Sequence, residues 1–383
     1  MSDNSTSSGG ERVWSPVIDQ HATWIAVNPI QGCPKACVYC FLHERGQAAV
    51  RPEVLASPAE TVELLVSSTY YGTERAVALY TWTDVMALPR SRAHLAQVLE
   101  ELAQRRVPNP IVLITKCHVP DSTIEAMCRA RAGGVRLITY LSHSGLGADV
   151  ERGIRRPAIV QNFPRITTAG LPVIHYWRPA LPGSATSERM ATVLDWASRF
   201  ARCTVAAGLK VEDAALPRLA EQWPALAEVA GVTSAEGVYP AAFWDFLADV
   251  PRSYPGYPLF HSNACALAYA LQEVDRFGIF GSEVCRRRNV CPAAQRDRCE
   301  LGVGERSVPT RRAVEKALAH RGVAGSSFEI GDDGRDVVLD DEVPTSTVAA
   351  LTQDLGVRVR GHRDQRDPYW NSGTAGAQPL VLE

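Results

Sequence analysis

The 383-residue sequence predicts an α/β protein built on a parallel sheet with helices outside it. Three observations carry that expectation. Apolar, β-rich runs alternate with helical patterns six times, which argues for repeated βα units. The chain is longer than one usual core, so a main domain with appendages is expected. Composition is that of an ordinary globular protein, 46% hydrophobic and 21% charged, which excludes wholesale disorder, a collagen-like repeat and a coiled coil.

The elements follow in order. Residues 1–21 read as a flexible tail, Ser/Asn/Gly-rich at its start and without an apolar signal core. Trp24 to Asn28 is the first strand and leads into a cysteine loop. Pro58 to Ser68 is helical and Ala76 to Thr81 a strand. His94 to Arg105 has apolar residues three and four apart, the helical spacing. Ile111 to Thr115 is a buried-strand run, Ser122 to Ala130 a helix and Val135 to Leu141 a strand. Ala158 to Thr168 is helical, Pro172 to Trp177 a strand, Glu188 to Phe200 helical, and Cys203 to Ala207 the last strand. This unit is placed at residues 22–240, a Cys-rich extension at 241–305, and a small α+β module at 306–383.

With 40 basic and 42 acidic side chains the formal charge is −2, so no field that drives nucleic-acid or membrane binding is expected. No stretch approaches the length of a bilayer span, and a cytoplasmic location is expected. In a reducing compartment clustered cysteines point to metal or redox chemistry rather than disulfides. Ten are present: Cys33, Cys37 and Cys40 in a tight C-x3-C-x2-C run, Cys265, Cys285, Cys291 and Cys299 in a looser set, and Cys117, Cys128 and Cys203 singly.

Three thiolates on one short loop can hold three corners of a cubane iron–sulfur cluster, and no fourth cysteine lies nearby in sequence to close it. One iron is then open to another ligand. A structural zinc site wants four closed ligands, which this spacing does not supply.

The run Cys33-Pro34-Lys35-Ala36-Cys37-Val38-Tyr39-Cys40 resembles the defining motif of the radical S-adenosylmethionine (SAM) superfamily. The resemblance implies a [4Fe-4S] cluster whose open iron binds SAM, reductive cleavage of SAM to a 5′-deoxyadenosyl radical, and hydrogen abstraction from a substrate. It implies a partial (β/α)6 TIM-type barrel, in which ligands gather at the C-terminal ends of strands. Thr83 and Asp84 after the second strand, Lys116 after the third, and Ser142 and Ser144 after the fourth then become candidate SAM contacts, with Tyr39 of the motif. Within the superfamily, Asp84, Lys116 and Ser142 match the spore photoproduct lyase-like group. That group's hydrogen-donating cysteine is missing, since Thr81 and Trp82 stand there. Cys117 is a candidate displaced donor or a buried inert thiol.

On the fifth strand, alternation sends His175 and Trp177 to one face and Tyr176 and Arg178 to the other. Tyr176 and Arg178 are candidates for gripping an anionic or planar substrate, and His175 for acid–base work. Lys210, after the sixth strand, repeats the logic of Lys116. Cys265, Cys285, Cys291 and Cys299 suggest a second, auxiliary iron–sulfur cluster, with structural zinc or no metal as alternatives. The C-terminal module is expected as a helix from Arg311 to Arg321, a hairpin of Phe328 to Ile330 with Val337 to Leu339, a helix from Val348 to Leu355 and a strand from Val357 to Val359; a lid or recognition role is expected for it. The expected function is a radical SAM enzyme of undetermined reaction class acting on a small-molecule or nucleoside-type biosynthetic substrate, reduced by a flavodoxin or ferredoxin. Nucleic-acid repair or modification and ribosomal-peptide modification are the alternatives.

Overall fold

The computed structural model describes residues 12–181, 186–229, 235–275, 291–305, 307–332, 334, 336–362 and 380–382. Its centre is an eight-stranded sheet whose spatial order follows the chain: β1 (Ile18–Gln20), β2 (Ile25–Val27), β3 (Val77–Leu79), β4 (Pro110–Thr115), β5 (Arg136–Ser142), β6 (Val173–Trp177), β7 (Thr204–Ala206) and β8 (Leu259–Phe260). Only β1 runs antiparallel, pairing Ile18 with Val27; every other neighbouring pair is parallel. The helices are α1 (Pro58–Ser67), α2 (Pro89–Gln104), α3 (Asp121–Ala132), α4 (Arg156–Thr168), α5 (Ser187–Phe200), α6 (Leu216–Gln222), α7 (Ala241–Ser253), α8 (Asn263–Leu271), α9 (Ala293–Gly304), α10 (Arg311–His320) and α11 (Thr345–Leu355).

Both faces of the sheet are buried, so its strands read as continuous apolar runs rather than alternating ones. Ile25, Val77, Leu79, Ile111, Leu113, Leu137 and Val173 pack against α1 to α4. The alternate residues Val112, Ile138, Tyr140, Ile174, Tyr176, Val205 and Phe260 face the other way, onto Ala264, Ala266, Leu267 and Ala270 of α8. Helix starts are locally encoded: in α1, Ser57 accepts from Glu60 N while the Glu60 side chain returns to Ser57 N, and Pro58 takes the first turn.

The boundaries differ from the sequence expectation at both ends. The sheet already begins at Ile18, inside the expected tail, and ends with Leu259–Phe260, inside the expected Cys-rich extension. A three-residue edge strand with one apolar residue and a two-residue strand after Pro258 are too short to show periodicity.

Towards the C-terminus, strands Phe328–Ile330 and Asp336–Leu339 pair antiparallel and Arg358–Arg360 runs parallel to the second. Arg321 donates to both oxygens of Asp354 (2.6 and 2.7 Å) and to Thr69 O (3.0 Å), and Arg75 pairs with the same carboxylate at 2.5 Å. Thr69 and Arg75 precede β3, so the module docks where strands enter the sheet, at the end opposite the cysteine loop. Cys285 lies outside the described residues, as does the side chain of Lys210.

Candidate functional site

The loop carrying Cys33, Cys37 and Cys40 is fixed by backbone pairing on three sides. Ile30–Gln31 pairs with Glu53–Val54, Cys33 bridges Ala48, and Ala36–Cys37 pairs antiparallel with Glu151–Arg152. Further backbone bonds tie Cys33 N to Gln47 O (2.8 Å), Val38 N to Val150 O (2.9 Å) and Cys40 N to Cys37 O (3.0 Å). Gly32 enters the loop with φ of +91°, and a Cβ there would stand 3.1 Å from Val50 Cγ2 and 3.2 Å from Gln47 Oε1. Only glycine meets both demands cheaply.

The three thiols each feel another's charge. Burial above all pushes Cys33 and Cys37 up to about 12 and Cys40 to about 11. Three neighbouring thiols held neutral by desolvation suit a cationic group, which makes thiolate the stable form. Among the described residues no three His, Cys, Asp or Glu side chains gather as ligands of a single metal ion. Three thiols on one short loop are the donors that a cubane iron–sulfur cluster takes at three of its corners.

The strand ends converge beside this loop. Register pairs Thr115 with Leu141 and Tyr176 with Ser142, which sets Lys116, Ser142 and Tyr176 side by side on the face that α8 covers. Lys116 Nζ donates to Glu151 Oε1 (2.9 Å) and Arg178 O (3.0 Å) and lies 5.6 Å from the Tyr39 ring centroid. Tyr39 OH donates to the same Glu151 oxygen at 2.5 Å. Arg178 Nη1 and, less closely, Asn263 Nδ2 donate to Tyr176 OH, at 2.7 and 3.4 Å. Tyr176 in turn stands edge-on to Tyr140, with 5.8 Å between ring centroids.

Other expected residues take positions that serve the chain itself. Asp84 caps the turn Val85–Ala87 and accepts from Met86 N (3.1 Å), Thr115 Oγ1 (2.8 Å) and Lys116 N (2.7 Å). Its carboxylate thereby ties the end of β4 to the loop after β3. Thr83 Oγ1 donates to Gly32 O at 2.6 Å, joining the same loop to the cysteines. Ser144 Oγ accepts from Leu146 N at 3.2 Å within its own turn. Cys117 packs in the layer under α1 to α4, and Asn162 Nδ2 holds its carbonyl at 2.8 Å. Burial and Asp84 push its thiol far up, so it stays protonated.

His175 is bonded within its own chain. It faces the helix layer, where Nε2–H donates to His143 O (2.8 Å) and Nδ1 accepts from Thr204 Oγ1 (3.0 Å), itself 2.9 Å from Tyr257 OH. Burial lowers it to about 3, and His143 beside it to about 4.

Sequence reasoning missed Glu151, Asn162 and Tyr80. Glu151 sits in Asp149-Val150-Glu151-Arg152, a polar run that reads as loop. Asn162 is one polar residue on a helix. Tyr80 adopts φ of +61°, a costly conformation for a bulky residue, and turns the chain from β3 into the Thr81–Asp84 loop; its hydroxyl is 2.9 Å from His94 Nδ1.

In the distal group, Cys265 and Cys299 flank the buried Asp275: Cys265 Sγ is 3.5 Å from Asp275 Oδ2, and Asp275 N donates to Cys299 Sγ at 3.3 Å. Gln295 Nε2 also donates to Cys299 Sγ, at 3.2 Å. Cys265 and Cys291 both pack against the cluster around α8.

No family model matches the chain, and no curated protein matches it. Solved structures that it is similar to include SuiB, spore photoproduct lyase and a radical S-adenosylmethionine methyltransferase, TsrM. SuiB of Streptococcus suis bound to S-adenosylmethionine aligns at TM-score 0.43 and 13% identity over 65% of this chain and 52% of that one. Spore photoproduct lyase complexed with dinucleoside spore photoproduct aligns at 0.46 and 11%, over 66% and 79%. The methyltransferase TsrM of Kitasatospora setae, with tryptophan and a SAM analogue bound, aligns at 0.37 and 16%, over 49% and 36%. The chain spans about half the length of the SuiB chains it matches. No helix among the described residues is long and apolar enough to cross a membrane.

Proposed function

We propose that this chain is a radical SAM enzyme that acts on a small-molecule substrate at the C-terminal ends of a partial-barrel sheet. One observation carries the reading: three thiols stand on a loop fixed by backbone pairing, and Lys116, at the end of β4, reaches both Tyr39 of that loop and Glu151, which pairs with it. Cys33, Cys37 and Cys40 would hold a [4Fe-4S] cluster; with SAM bound, that pair of cofactors supplies a 5′-deoxyadenosyl radical for hydrogen abstraction.

The chain's own part is binding, orientation and exclusion of water. Lys116 has three N–H donors; two are used on Glu151 and Arg178 O, and the third is available to a carboxylate such as that of SAM. Ser142 lies next to it for a polar contact, and Thr83 and Asp84 lock the strand end that carries Lys116. Tyr39 presents its ring under the ammonium. Tyr176 and Arg178 form the wall where an anionic or planar substrate group would rest. A second iron–sulfur cluster on Cys265, Cys291 and Cys299, with Cys285 as the remaining candidate ligand, is part of the same proposal. The electron comes from a flavodoxin- or ferredoxin-type donor in a reducing compartment.

The test is anaerobic incubation of the reconstituted protein with SAM and a strong reductant, following 5′-deoxyadenosine. Wild type is expected to produce it and Cys37→Ala to fall to the background rate. A cluster-loaded wild type that cleaves no SAM, or a Cys37→Ala variant that cleaves it equally well, contradicts the proposal.

A further inference from the structure

Glu151 is an acidic side chain that both reaches residues of the cysteine loop and shares backbone pairing with it. It stands directly across from Cys37 in the antiparallel pair Ala36–Cys37 with Glu151–Arg152, and it is 4% exposed. One of its oxygens accepts from both Tyr39 OH (2.5 Å) and Lys116 Nζ (2.9 Å). Tyr39 lies between two of the cysteines, and the charge of Lys116 bears on Cys37. Cys37 is influenced by both charges, in opposite senses. A buried ion pair is costly to form and strongly destabilising to halve, so its placement here needs a reason beyond stability.

Resting on the cluster reading above, we propose that Glu151 is a positioning residue that fixes Tyr39 and Lys116 beside Cys37 and balances the lysine's charge at the cluster. The acid and the base then act in opposition on cluster reduction. Reduction adds one negative charge, which a neighbouring carboxylate opposes and an ammonium favours, and net local charge is among the levers that set such potentials.

The experiment is an anaerobic redox titration of the reconstituted protein, with the reduced cluster read by electron paramagnetic resonance, on wild type, Glu151→Gln, Lys116→Met and the double variant. Iron content is measured on each. Glu151→Gln keeps shape and an acceptor oxygen but loses the charge. At a fixed potential near the wild-type midpoint, its reduced-to-oxidised ratio is expected to rise on the order of tenfold. Lys116→Met is expected to lower the ratio by a similar factor, and the double variant to return near wild type. Single variants that stay within twofold of wild type, or that move in the same direction, overturn the proposal. So does a Glu151→Gln protein that no longer holds iron, which would make Glu151 a loop brace only. A wild type without iron is a different failure, that of the cluster reading itself, and it is seen before any variant is compared.

Discussion

The two cysteine groups of this chain are held in different ways. Cys33, Cys37 and Cys40 sit on backbone paired with three other segments, with Gly32, Thr83 and Glu151 closing the remaining sides. Cys265 and Cys299 are linked chiefly through Asp275 and Gln295, by contacts made to the sulfurs themselves. The first arrangement is held by its backbone; the second uses its thiols as the joints. Pre-organisation of this kind marks a site where geometry matters to the reaction, while a site joined by its own ligands couples metal binding to folding.

Breaking the distal joints is expected to have the largest effect. Cys265→Ala with Cys299→Ala should lower iron from about eight to about four per chain, one cubane's worth, and reduce the melting temperature, while 5′-deoxyadenosine formation persists. Loss of all iron in that variant would show the two groups to be one site.

Acid titration probes the layer behind the strand ends. His175 and His143 remain neutral in the fold, at about 3 and about 4 against an ordinary 6.5. The unfolded chain therefore binds protons that the native state refuses. Stability is complete above pH 6.5 and falls as pH drops through 6 toward 4, with a slope of up to about 1.4 kcal/mol per unit for each histidine. Urea unfolding at pH 5 and pH 7 checks this: His175→Gln should be less stable at pH 7 yet lose less between the two. An unchanged slope would contradict burial of a neutral His175.

The smallest expected effect comes from Thr83→Val, which removes the hydrogen bond to Gly32 O. Because the loop is pinned elsewhere, the cost should be about 1 kcal/mol by denaturant unfolding, with iron content unchanged. Loss of the cluster would mean that this one contact, and not the backbone pairing, holds the loop.

The alternation of strands and helices was legible in the sequence because buried strands and one-sided helices carry strong apolar patterns; the parallel order from β2 to β7 follows them. The three-cysteine run was legible because spacing on a short loop survives any folding. What the sequence could not show is who faces whom. Asp84, a lone carboxylate after a strand, reads as a ligand for an ammonium but is engaged by three donors of its own chain. Tyr176 falls on the face that α8 covers by the period of two, with Arg178 donating to its hydroxyl, whereas His175, one position away, disappears into a buried hydrogen-bond chain. Glu151 lies more than a hundred residues from Cys37 and becomes its neighbour only through a two-residue strand pair. The docking of the C-terminal module rests on Arg75, Arg321 and Asp354, three charges that look like ordinary surface residues until the fold joins them.

The central claim is that the Cys33–Cys40 loop carries an iron–sulfur cluster. Its most direct test is the iron and acid-labile sulfide content of anaerobically reconstituted protein, beside a variant with Cys33, Cys37 and Cys40 all changed to Ala. About eight irons falling to about four is the result this account predicts, each cubane holding four. No iron in the wild type, or iron unaffected by the three substitutions, would contradict it.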